Sequence, residues 1–560
     1  MKDKITRING KGQAGQRQKL RVLAGPEKYG LMPHSRVRVW PFVVLTVVVT
    51  LILTGRLVQL TVVEGAYQWQ QAESNRVTAI RTTAPRGIFI DRTGKPLVRN
   101  NPAYKRQVPG TSLAQAKFEE ISRDEALRLQ YQDGERVFFD IVREYPCGRA
   151  CAQLLGYTGE ISSEEQAQAP RDYVLGDRVG KSGLEKTEER TLRGQAGSEL
   201  LEVNAHGAVQ RVVGKVEQVR GTDVAITLDS GLQTVLYEAL KEYQGAAVAS
   251  VVQTGEILAL VSTPAFDPND VGQSLTEANE PFFYRALGGA YPPGSVFKVV
   301  TATAGLQEGK LSAETTIEDT GEIRINTYRY GNWYFDEYGG TEGAVNVVKG
   351  LQRSNDIFFY RVGEMVGPEK LAEWATLMGF GATTGLEGLG EVPGLVPEPK
   401  WKSRVKGEKW FLGNTYHMAI GQGDVLVTPM QVNRMMGVVA TGGLLCPPIL
   451  KQAEVGTRGC QQVNLQDETV RLIREGLVKA CEPGGTGVAF FRFSPKVACK
   501  TGTAQEGGVT SDPHAWFTVY APAEKPEIVV TVLVEHGGQG SEIASPIARK
   551  ALEYWFQSRD

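Results

Sequence analysis

With 560 residues, 41% of them hydrophobic and 22% charged, the chain is too long for one ordinary core and too apolar to be disordered, so two or three folded domains are expected. The net charge of −1 conceals an asymmetry: residues 1–40 carry ten Lys or Arg against Asp3 and Glu27, a net of +8, which leaves −9 for the rest. A basic tail on a mildly acidic body excludes a nucleic-acid binder, whose body would itself be basic.

Directly after the tail, residues 39–55 run as seventeen uncharged, mostly apolar positions. Continuing into 57–63, with Arg56 snorkelling, makes a stretch able to cross a bilayer. A cleaved signal peptide is the rival reading. It is disfavoured by the long N-terminal region and by the lack of a small-x-small cleavage site. The expectation is one transmembrane anchor at 39–60, with the basic tail 1–38 on the cytoplasmic side and the body outside.

Residues 61–221 read as short strands, Gly/Pro punctuation and charged stretches. APRGIFIDRTGKPLVRN (84–100) has the pattern of strand, turn, strand around Gly87 and Gly94. Six cysteines fit an oxidising compartment; Cys147/Cys151 and Cys446/Cys460 are two pairs whose bonding the sequence leaves open. The five histidines (34, 206, 417, 514, 536) are scattered, with no H-E-x-x-H.

The texture changes at Thr222. TLDSGLQTVLYEALKEY (227–243) has a Thr/Asp cap signal and helical spacing, and GAAVASVVQTGEILALVST (245–263) reads as a hairpin turning at Thr254-Gly255. Near the C-terminus PKVACKTGTAQ, HAWFTVYAP and PEIVVTVLVEH are strand-like, and a helix is expected from about Ser545 to Phe556. Two strands early and three late, with helical sequence between, predict an α+β domain at 222–560 whose sheet is assembled from both ends.

Three segments of that domain carry chemistry. In YPPGSVFKVVTATAGLQEG (291–309), Ser295 and Lys298 are three apart at a helix start, so they share a face. A buried lysine can take the proton that makes a serine hydroxyl nucleophilic. In QRSNDIFFYRVG (352–363), Ser354 and Asp356 precede an apolar helix; helix capping is the competing explanation. Lys500-Thr501-Gly502-Thr503 lie on a strand, where hydroxyls and a lysine suit a substrate carboxylate and a glycine admits a substrate backbone. Each motif alone carries little. Ser403/Lys406 repeats the first spacing, and Lys181-Ser182-Gly183 repeats the third; the latter misses the phosphate-loop spacing by one residue.

The ordered set S-x-x-K, S-x-D, K-T-G resembles the signature of penicillin-binding proteins and serine β-lactamases. With APRGIFIDRTG, VGKSGLEKTEERTLRGQAGSELLEVNAHG (179–207), TLDSGLQ, IGQGDVLVTPMQ (420–431) and KTGTAQ, the chain resembles class B penicillin-binding proteins from the anchor to its end. HAWF (514–517), the 536–549 ending and Asp356, where many relatives have Asn, are most like the elongation type, the penicillin-binding protein 2 subfamily.

The resemblance implies a transpeptidase domain of the penicillin-binding/serine β-lactamase fold, an antiparallel sheet flanked by helices, on an N-terminal pedestal (dimerisation-type) domain. It implies that Ser295 attacks the penultimate D-Ala carbonyl of a D-Ala-D-Ala stem peptide in nascent peptidoglycan, and that Lys298 accepts its proton. Ser354, in the motif with Asp356, relays a proton to the leaving group with Lys500. Thr501 and Thr503, flanking Gly502, bind the terminal carboxylate, and backbone N–H groups of Ser295 and Thr503 form the oxyanion hole. β-Lactams acylate the same serine, and the pedestal docks a multi-span membrane glycosyltransferase. No cofactor is implied. Some elongation-type relatives bind a metal beside the site, but residues 299–353 hold neither His nor Cys, so none is expected. The alternatives are a division-type transpeptidase, a D,D-carboxypeptidase or β-lactamase, and a penicillin sensor that does not cross-link.

Overall fold

The computed structural model describes residues 39–107, 118–131, 137–203, 209–505 and 512–557; the basic tail 1–38 and His206 lie outside them. The chain divides into a unit ending at Val77 and a second from Thr78 onward. In the first, helix Trp40–Val58, with Pro41 tolerated in its opening turn, runs on through a π-helical turn, Gln59–Val63. Within these 24 residues an 18-residue window has mean hydropathy 2.2, and none of that window is buried. At about 1.5 Å per residue they span the roughly 30 Å hydrocarbon core of a bilayer. Thr46, Thr50 and Thr54 return their hydroxyls to the carbonyl four residues earlier, so these three donors are satisfied within the helix.

In the second unit the N-terminal part is built on two three-stranded sheets. One joins Val77–Thr82, Gly197–Val203 and Val209–Val216; the other joins Phe118–Ile121, Arg99–Gln107 and Val137–Glu144. Glu185, fully buried, joins the motifs read at 84–100 and 179–207. Its two oxygens accept from Arg143 Nε and Arg86 Nη2, each at 2.8 Å. The turn after Phe89–Ile90 is closed by Asp91, whose carboxylate also accepts from Ser230 Oγ at 2.6 Å and so ties this part to the helix Ser230–Leu240. Asp229 caps that helix through Gly231 N and Leu232 N, as its Thr/Asp signal predicts.

The C-terminal part is an antiparallel sheet in the order Ile257–Thr263, Gly245–Val251, Ile528–Val534, His514–Ala521, Ala498–Ala504. The early hairpin and the three late strands therefore meet, with the hairpin turning at Gly255. Alternation along His514–Ala521 sends Phe517 and Val519 into a core with Leu236 and Leu552, from helices Ser230–Leu240 and Ala544–Gln557. Trp516 and Tyr520 face the other way, into a core with Met435 of helix Pro429–Thr441 and Val299 of helix Lys298–Gln307. Both faces are covered, which is why Ile528–Val534 (IVVTVLV) reads as an apolar run interrupted only by Thr531. Ala498–Ala504, at the open edge, keeps one side of its main chain for something other than a strand.

Candidate active site

Three sequence-distant segments converge at that edge. Pro292-Pro293-Gly294 delivers a single 3-10 turn, Gly294–Phe297, and the α-helix proper begins at Lys298. Gly294 has φ +54°, and a Cβ there would stand 2.6 Å from Thr503 O; only glycine lets this turn reach the edge strand. Residues three apart eclipse in a 3-10 turn, so half-exposed Ser295 and buried Lys298 share a face.

Lys298 Nζ donates to Asp356 Oδ1 (2.6 Å) and Ser354 O (2.8 Å) and lies 3.3 Å from Ser354 Oγ. Ser354 ends helix Val347–Arg353 with φ 54° and ψ 40°, a left-handed conformation that costs a serine about 1–3 kcal/mol. That conformation turns both its carbonyl and its hydroxyl toward the lysines. The cap of the next helix, Asp356–Val366, is Asn355, whose Oδ1 accepts from Phe358 N at 2.9 Å. Capping falls to the residue between Ser354 and Asp356, which leaves both side chains to face Lys298.

From the edge strand, Lys500 Nζ donates to Ser354 Oγ (2.8 Å) and Thr501 O (3.0 Å). Thr501 donates to Thr486 Oγ1 at 2.8 Å, and Thr503 is exposed at the strand's outer face. A Cβ on Gly502 would meet Val296 at 2.8 Å, so the strand presents bare backbone beside the Ser295 turn. Gln422 Nε2 reaches Thr503 O at 3.4 Å.

The electrostatics follow from burial. Removal from water lowers the Lys298 ammonium's pKa from its ordinary value, and the Asp356 charge only partly restores it. Burial pushes Lys500 further, well below the ordinary lysine value, and the neighbouring Lys298 charge adds to this. Amines so placed can exchange protons with the Ser354 hydroxyl, which accepts and donates.

Every sequence-predicted site residue, from Ser295 to Thr503, lies at this edge. The decoys lie elsewhere. Ser403 and Lys406 are on helix Pro399–Lys406, where Lys406 pairs with Asp424. Lys181 pairs with Glu165, and Ser182 begins the short helix Gly183–Thr187. Sequence reasoning missed Thr486, Asn355 and Gln422, none of which stands in a spacing that signals chemistry. It also missed Cys481–Cys499, which is bonded together with Cys147–Cys151 and Cys446–Cys460. The missed disulfide joins the end of helix Asp467–Ala480 to the residue before Lys500.

The penicillin binding protein transpeptidase domain family matches residues 245–553, and the penicillin-binding protein dimerisation domain family matches 104–226. The chain is 32% identical over 463 residues to the peptidoglycan D,D-transpeptidase MrdA of Acinetobacter baumannii, covering 76% of this chain and 68% of that protein. It resembles PBP2 of Helicobacter pylori, solved in complex with MreC, with TM-score 0.75 and 25% identity over 86% of this chain and 99% of that one. A chain from a peptidoglycan synthase complex, solved for the coordination of polymerization and crosslinking, gives TM-score 0.74 and 29% identity over 92% and 98% of the two chains.

Proposed function

This chain belongs to the penicillin-binding protein transpeptidases, and on that footing we propose that it is the elongation-type peptidoglycan D,D-transpeptidase, cross-linking stem peptides through a Ser295 acyl-enzyme. The observation that carries the reading is the joining of all three motifs at one hydroxyl: Lys298 and Lys500 both reach Ser354 Oγ. Asp356, the HAWF stretch and the likeness to MrdA support the elongation type.

In this reading Lys298 takes the Ser295 proton as Oγ bonds to the penultimate D-Ala carbonyl carbon. Charge developing on the carbonyl oxygen is met by the N–H groups of Ser295 and Thr503, on the turn and the edge strand that the Gly294–Thr503 approach brings together. Thr501 and Thr503 hold the terminal carboxylate. As the peptide C–N bond breaks, Ser354 gives its proton to the departing D-Ala nitrogen, and Lys500 or Lys298 replaces it. An amine from a second stem then attacks the ester and Ser295 regains its proton. A β-lactam acylates the same oxygen.

The apolar helix Trp40–Val63 supports a single-pass anchor in the cytoplasmic membrane, with the basic tail inside and the catalytic domain outside, in the periplasm of a Gram-negative cell. Residues 61–221 are the pedestal and 222–560 the catalytic domain. The likeness to the H. pylori protein solved with MreC and to a chain of a peptidoglycan synthase complex supports association with cell-wall elongation machinery, and in this reading the pedestal docks a multi-span glycan polymerase.

The test supplies the purified protein with glycan strands bearing D-Ala-D-Ala stems, and measures free D-Ala and dimeric muropeptides. Both products are expected. D-Ala without dimers would identify a carboxypeptidase, and neither product would reject the reading.

A further inference from the structure

Besides Lys298, Asp356 is held by residues that belong to none of the three motifs. Its Oδ2 accepts from Trp333 N at 3.1 Å, and its own backbone N–H donates to Asn332 Oδ1 at 3.1 Å. Asn332 is fully buried. Its Nδ2 donates to Asp319 Oδ2 at 2.9 Å, and its backbone N–H donates to Gly321 O at 2.8 Å. Asp319, also buried, collects further donors: Asn355 Nδ2 (2.8 Å) and Glu342 N (2.9 Å) on Oδ2, and Gly321 N (2.9 Å) on Oδ1.

The chemistry of these partners fixes the amide. A backbone N–H only donates and a carboxylate only accepts, so the Asn332 side chain has one orientation that satisfies both neighbours. Reversing it, or losing it, leaves buried polar groups unpaired at about 1–3 kcal/mol each. Trp333 opens helix Trp333–Tyr338, where the first N–H groups have no partner within the helix. The one on Trp333 is spent on Asp356.

We propose that Asn332 and Trp333 are positioning residues that fix Asp356 against Lys298, with Asp319 as their buried anchor, so that segment 317–333 sets the geometry of the Lys298–Asp356 pair. This deepens the function proposed above and rests on Lys298 being the proton acceptor. The charged groups facing Lys298 are Asp356, from helix Asp356–Val366, and Lys500, from the edge strand, with Ser354 and the Phe359 ring also against it. Asp356 opposes the effect of burial on this amine, so loosening the carboxylate lowers the lysine's proton affinity further.

The experiment compares Trp333→Pro with Trp333→Phe in the full-length protein. Proline is welcome at the first position of a helix and removes only the N–H from the main chain, whereas phenylalanine keeps the N–H and removes the indole. The measured quantity is the rate constant for acylation of Ser295 by a fluorescent penicillin as a function of pH, alongside the melting temperature. Trp333→Pro is expected to slow acylation about tenfold, the weight of one hydrogen bond to a charged group, and to move the acidic limb of the profile to lower pH. Trp333→Phe should leave that limb in place. Should the proline variant melt below the assay temperature, Asn332→Ala carries the same expectation. Superimposable limbs in wild type, Trp333→Pro and Asn332→Ala would overturn this inference alone. A wild type that is not acylated, or that shows no acidic limb, would instead remove the reading of Lys298 on which it rests.

Discussion

Lys500 Nζ stands 2.8 Å from Ser354 Oγ, across 146 residues of sequence. Lys298 approaches the same oxygen from the opposite motif, so the serine hydroxyl is a shared node between two buried amines. Ser354→Ala removes the node and keeps the nucleophile. Acylation by penicillin is expected to fall by about 10²–10⁴-fold, the range for loss of a positioned proton-transfer group. Stopped-flow labelling measures it; a change of less than tenfold would place the proton route elsewhere.

Lys500→Met should separate stability from activity. The folded-state pKa of this lysine is depressed, so between that value and its ordinary value near 10.5 the native state binds fewer protons than the unfolded state. Stability from this residue therefore rises with pH across that window, and its penalty is largest below it. The methionine variant is expected not to be acylated, yet to melt at or above wild type at neutral pH, with the margin shrinking as pH rises. A melting temperature that falls at every pH would show that the lysine's hydrogen bonds outweigh the cost of its burial.

The Cys481–Cys499 bond closes a segment of 18 residues and ends beside Lys500. Loop-closure entropy for that length is worth about 3 kcal/mol. A Cys481→Ser/Cys499→Ser double variant should lose stability of that order in denaturant unfolding. It should also acylate more slowly, because the end of helix Asp467–Ala480 no longer pins the strand that carries Lys500.

Glu185 holds Arg86 and Arg143 in the N-terminal part. Removing one partner of a buried ionic cluster leaves charge uncompensated, so Glu185→Ala should destabilise by about 3–5 kcal/mol. Acylation of the folded fraction should be unchanged, since Glu185 touches none of Ser295, Lys298, Ser354 or Lys500. Calorimetry and penicillin labelling test the two halves separately.

Much of this was legible because periodicity and motif order are local. The apolar runs of the five strands, the Asp229 cap and the C-terminal helix each announce themselves within a dozen residues. The apolar anchor is legible in the same way: the stretch expected at 39–60 lies on the helix Trp40–Val58 and the π-helical turn Gln59–Val63 that follows it. What the sequence concealed is what depends on distant partners. Nothing in EDTGEIRIN or RYGNWYF marks Asp319 and Asn332 as a buried pair, since isolated polar residues in a Gly-rich stretch read as turns. Nor could spacing show that Asn355 would take the cap and release its two neighbours. Cys481 and Cys499 escaped for the same reason: their approach is set by a helix packing on a strand.

The most direct test of the central claim is intact mass of the purified protein after exposure to a fluorescent penicillin, with wild type beside Ser295→Ala. One covalent adduct per wild-type chain, located on the peptide containing Ser295 and lost in the variant, is the predicted result. A correctly folded wild type without an adduct, or a Ser295→Ala variant that still carries one, would contradict it.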